Sequence, residues 1–189
     1  MDVRKHVVAM TMAIGAMAIA CGLGLGDAAA QATAAGAART AKWDDLLPKD
    51  WDPLKQFRDK SGVVREGSMR EMEMMEELRK AWDNAPTRPE LNGSRLRLPG
   101  YVVPLDSSAG GLKEFLLVPY FGACIHSPPP PANQIVYVKL AKPAPIKTMD
   151  AVWVSGTLSS ARSDSPMGVS GYQMAGDLVE PYRETRTEK

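Results

Sequence analysis

Cysteine and histidine are nearly missing from this 189-residue chain, with two of each. One of the cysteines, Cys21, falls in an expected leader, so an intrachain disulfide framework is excluded. An excess of charge of either sign is missing too. Twenty-three Lys and Arg face twenty-two Asp and Glu, for a net charge of +1, which leaves no electrostatic footprint for nucleic acid. Beyond the leader no apolar run is long enough to cross a bilayer as a helix. Phosphate-loop patterns are missing as well, since Gly22, Gly24 and Gly26 belong to the leader region. Ser155, Ser159 and Ser160 lack a nucleophile-elbow frame, and no second histidine is left to build a separate triad. No internal repeat is visible.

What is present begins with an address. Arg4 and Lys5 precede an apolar run over residues 7–20, about fourteen residues and too short to span a membrane. Residues 1–30 therefore read as a signal peptide, with Ala28-Ala29-Ala30 offering the small residues that cleavage needs. The alternative is Ala18-Ile19-Ala20-Cys21, a weak lipobox that would acylate Cys21 and anchor the protein as a lipoprotein. The expected location is the periplasm, with soluble release the preferred outcome. Either way Cys124 and His126 become the only usable thiol and the only imidazole. About 160 residues then remain, enough for one domain.

Residues 31–42, rich in Ala, Thr and Gly, are expected to be a flexible tether, residues 43–182 a single domain, and residues 183–189 a charged tail. Trp43, Leu46, Leu47, Trp51, Leu54 and Phe57, broken by Pro48 and Pro53, should lie over a core as short turns. Ser68 and Glu71 form a capping-box pattern that predicts a helix over about residues 69–83, ended by Asn84, Pro86 and Pro89. Met69, Met72, Met75, Leu78 and Trp82 fall on one stripe, expected to dock on the core; soft copper ligation is the alternative.

The pattern then turns to β-formers at period two. Segments at 95–105, 114–118, 134–140, 151–158 and 170–176, separated by Pro- and Gly-containing loops, predict a mainly β fold with one helix. The first choice is a five-stranded OB-like barrel with an N-terminal wrap, and the second a β-sandwich. Gly156 within a strand suits a barrel corner.

Cys124 and His126 lie two residues apart. If that stretch is extended, both side chains share a face and offer a thiolate and an imidazole to one metal ion, zinc first and copper second. Further donors are needed: carboxylates such as Asp106 or Glu114, a methionine, a water, or residues of a second subunit or partner protein. The same pair can be read as a thiolate–imidazolium dyad of a thiol-dependent enzyme, a less favoured reading because no orienting group is identifiable. Pro128, Pro129, Pro130 and Pro131 impose a stiff extended strut or a docking epitope, and Tyr120, Phe121, Asn133 and Gln134 complete a candidate binding loop.

The strings Leu98-Pro99-Gly100-Tyr101-Val102-Val103-Pro104-Leu105, Glu114 through His126 and Pro128 through Gln134 resemble a family of exported bacterial proteins of unknown function. The resemblance covers roughly residues 43–178. It implies an envelope protein with an OB-like barrel, encoded in several bacteria near ABC-type transporters and sometimes in a zinc-linked setting. Envelope transporter components are accordingly the implied partners. The resulting expectation is an exported accessory or binding protein that holds or passes a metal through Cys124 and His126. A partner-binding structural barrel is the alternative.

Overall fold

Among the described residues, eight strands and one long helix follow one another as β1 (Arg39–Thr40), α1 (Met69–Asp83), β2 (Arg95–Pro104), β3 (Leu112–Val118), β4 (Val136–Ala144), β5 (Ala151–Ser159), β6 (Ser163–Ser165), β7 (Gly168–Ser170) and β8 (Tyr172–Pro181). The computed structural model describes residues 37–52, 54–55, 65–106, 110–125 and 129–183, all inside the compact unit Ala34–Lys189. The expected signal peptide, Cys21, and residues 184–189 of the expected tail lie outside the described residues.

Alternation along β2 buries Leu96, Leu98 and Val102 while Arg95 and Arg97 stay partly exposed, which is how a strand presents one face to a core. β2 pairs with β5 through Arg95–Tyr101 and with β3 through Tyr101–Pro104. The spatial order β2-β3-β4-β8-β5 therefore closes on itself. β4 and β8 run parallel and the other barrel pairs antiparallel. This is a closed five-stranded OB-like barrel with β1 added as an extra strand, and closure excludes the β-sandwich. The expected bend at Gly156 is present as a register shift between Ser155 and Gly156. A Cβ at Gly156 would lie 2.3 Å from the carbonyl oxygen of Ala175, so only glycine permits this approach.

Inside the barrel, Leu46, Leu96, Leu98, Val102, Phe115, Leu117, Val138, Val154, Leu158, Tyr172 and Met174 form one buried cluster. A second cluster, Val103, Leu116, Val118, Ala123 and Ile135, lies on the outer face of β2 and β3. That explains why residues 115–118 are continuously apolar: the strand is covered on both sides. Ala123, Cys124 and Ile135 of the β3–β4 connection supply part of this cover, together with Met149 and Met167.

Two expectations need correction, and one element is new. Arg39 and Thr40, assigned to the tether, pair in parallel with Leu96 and Arg97, and Ala41 is buried; backbone pairing to β2 extends the barrel into that segment. The N-cap of α1 is as expected, with Ser68 Oγ accepting from the Glu71 N–H at 3.2 Å and Glu71 accepting from the Gly67 N–H. However, no residue of α1 is buried, and Met69, Met72 and Met75 are 69%, 54% and 53% exposed. Helical periodicity gives an apolar stripe; here the stripe faces a cleft and solvent rather than the core. The β6–β7 hairpin was not anticipated.

Candidate functional site

Three segments without barrel strands of their own meet at one place. α1 supplies Met72, Met75, Leu78 and Trp82; the β6–β7 hairpin supplies Met167 and Val169; the β3–β4 connection supplies Cys124 and Pro129. Between them lies a cleft of about 820 Å³, a size that accommodates a small molecule or a peptide segment. Its walls are mainly apolar, and Glu71, Glu76, Arg79 and Asp83 sit along the helix side.

The hairpin reaches the connection through a close fit. Gly168 has φ +144°, and a Cβ there would meet Pro129 Cβ at 3.4 Å and Ile135 Cδ1 at 3.5 Å. Ser165 Oγ donates to the Gly168 carbonyl at 2.8 Å and so fixes the Pro166–Met167 turn. Sequence reasoning missed Ser165, Met167 and Val169. The available signal was Pro166-Met167-Gly168 between short polar segments, a turn pattern too brief to carry a hydrophobic period.

Cys124 is only partly buried and packs against the outer cluster. Its φ is +65°, in a turn that also holds Gly122 at φ +83°. The extended geometry that would align Cys124 with His126 is therefore not adopted at Cys124. A left-handed backbone at a side chain larger than glycine is strained, and Met149, in the same cluster, shares it at φ +63°. The Gly122 N–H donates to the Met149 sulfur at 3.2 Å, tying the two turns together. Burial pushes the Cys124 thiol from 9.0 up to about 11, so the side chain is neutral at physiological pH. His126 and Pro128 lie outside the described residues.

The remaining candidates divide by environment. Pro130 and Pro131 are buried, whereas Pro129 faces the cleft; this part of the proline run serves as an internal strut. Asn133 is fully buried and donates from Nδ2 to the Pro86 carbonyl at 2.9 Å, and the Gln134 N–H donates to Pro131 O at 2.8 Å. Tyr120 and Phe121 are 43% and 64% exposed, with Phe121 edge-on to Tyr101 at 5.7 Å. Asp106 accepts from the backbone N–H groups of Lys113 and Glu114 at 3.2 and 3.1 Å. Glu114 lies 2.9 Å from Lys139 Nζ. Hydrogen bonds from Lys139 and Tyr137 hold its carboxyl below the usual range. Both carboxylates thus already have structural work at the base of β3. Among the described residues no three His, Cys, Asp or Glu side chains gather into a metal-binding group. Nor is any described helix long and apolar enough to cross a membrane.

No curated protein matches the chain. Among solved structures, it is similar to a crystal structure of a DUF3299 family protein from Pseudomonas aeruginosa PAO1. The two are 38% identical, with a TM-score of 0.62 over 79% of this chain and 99% of the other. A family profile described as a protein of unknown function, DUF3299, matches residues 43–181, which span the whole barrel together with α1 and the β6–β7 hairpin. On these grounds the chain belongs to the DUF3299 family.

Proposed function

We propose that this is an exported, non-catalytic binding protein of the cell envelope whose ligand site is the cleft between α1 and the β6–β7 hairpin. The observation that carries this reading is the methionine face of α1, open to that cleft although a helix stripe of this kind is ordinarily covered. Unbranched thioether side chains adapt to irregular apolar ligands. A neutral thiol at the Cys124 wall supports binding over nucleophilic catalysis, since the thiolate is the attacking species. Titration with the neutral apolar fluorophore N-phenyl-1-naphthylamine tests it. Wild type should bind, and Met167→Asp should bind about tenfold more weakly; equal binding by both removes the cleft as the site.

A second reading keeps Cys124 and His126 as ligands for zinc or copper. The cleft favours copper(I) within it, because Met72, Met75 and Met167 add soft sulfur to the wall that holds Cys124. Competition titrations with Cys124→Ser and His126→Ala test this reading, and unchanged metal affinity in both variants ends it. Envelope transporter components as partners rest on the sequence resemblance alone.

A further inference from the structure

The cleft has a charge as well as a shape. Along its helix side stand Glu71, Glu76 and Asp83 against the single cation Arg79. Arg79 lies 3.2 Å from Glu76 and 3.3 Å from Asp83, and Lys80 Nζ lies 3.6 Å from Glu76, so these two carboxylates are partly paired while the lining keeps three acids against one base. Over its full length α1 carries five acidic and three basic residues. The floor between the acidic side and the hairpin is Met72, Met75, Leu78, Met167 and Val169.

Trp82 also lines the cleft, so its emission reports on what occupies it.

We infer that the occupant is an amphipathic, basic segment of a partner protein: its apolar side seats on the methionine floor and its Lys or Arg side chains face Glu71, Glu76 and Asp83. This rests on the cleft being the binding site. Charge complementarity selects a cationic segment over an anionic one, and a methionine-lined groove tolerates sequence variation in the apolar side.

Fluorescence anisotropy with a labelled amphipathic Leu/Lys peptide, set against Leu/Gln and Leu/Glu counterparts, tests the inference on the purified protein. The Leu/Lys peptide should bind about tenfold more tightly than Leu/Gln. The gap should close as salt shortens the Debye length below about 10 Å. Met75→Lys, at an exposed position, should abolish binding of Leu/Lys while leaving the circular dichroism spectrum and melting temperature unchanged. Tryptophan emission should shift on binding in wild type and less in Trp82→Phe. Equal binding of all three peptides, with the naphthylamine probe still bound, overturns the cationic partner but leaves the cleft as a site. Loss of the probe in wild type overturns both. Concentration-dependent dimerisation that is lost in Met75→Lys assigns the face to a second copy of the chain and likewise overturns the inference.

Discussion

The phenol of Tyr172 donates to the carbonyl of Leu46 at 2.7 Å, across 126 residues of sequence. The same oxygen accepts from the Arg88 N–H at 2.6 Å. One fully buried hydroxyl at the start of β8 thus joins the N-terminal wrap to the segment that leads into β2.

Tyr172→Phe keeps the ring in the core and removes both bonds, leaving the buried Leu46 carbonyl and the partly buried Arg88 N–H unpaired. The expected loss is about 1–3 kcal/mol. Urea denaturation should show a lower midpoint at unchanged slope. A variant as stable as wild type contradicts the role assigned to the hydroxyl.

Cys124 inverts the usual order of substitutions. With φ at +65°, glycine fits the backbone without the penalty of about 1–2 kcal/mol borne by residues with a Cβ. Cys124→Gly should therefore be more stable than Cys124→Ala. Alanine the more stable of the two, in the same denaturation series, rules out backbone strain at this turn.

The thiol should be slow to alkylate. Its value of about 11 lies above the ordinary 9.0 because of burial, so iodoacetamide reactivity should climb only in strongly alkaline buffer. The linked stability has a fixed sign. The folded protein holds the proton more tightly than the unfolded chain, so the contribution is complete below pH 9 and is lost as pH rises through about 11. A reactive thiol at pH 7 would restore the nucleophile reading.

Gly156→Ala places a methyl group 2.3 Å from the Ala175 carbonyl oxygen. The β5–β8 seam must shift, at a cost of about 3 kcal/mol. Thermal melts should register it clearly, and a change of less than about a third of that means the seam is more compliant than described.

Met72→Lys should leave stability within about 0.5 kcal/mol, because a side chain 54% exposed contributes little to the core. A loss of several times that would show this face to be covered.

The barrel is largely legible in the sequence because strands announce themselves twice, through period-two burial in β2 and through turn residues between segments. Both ends of α1 are legible as well, since Ser68, Glu71 and Asn84 act through local hydrogen bonds. That its methionine stripe stays open is not legible, since periodicity specifies a face and not whether a neighbour meets it. The β6–β7 hairpin escapes because three-residue strands carry too few side chains to show a period. Cys124 escapes for another reason: a left-handed backbone at a non-glycine residue is imposed by the packing around it, and only the nearby Gly122 hints at the turn.

β8 lies between β4 and β5 in space yet follows both in the chain. Until residues 172–181 arrive, β4 and β5 each keep one row of unpaired backbone groups, and the wrap at Leu46 has no hydroxyl to bind. Ribosomal order therefore makes the last strand the one that shuts the barrel. A chain cut short of Tyr172 would leave two sticky edges exposed to other chains, which favours aggregation over folding.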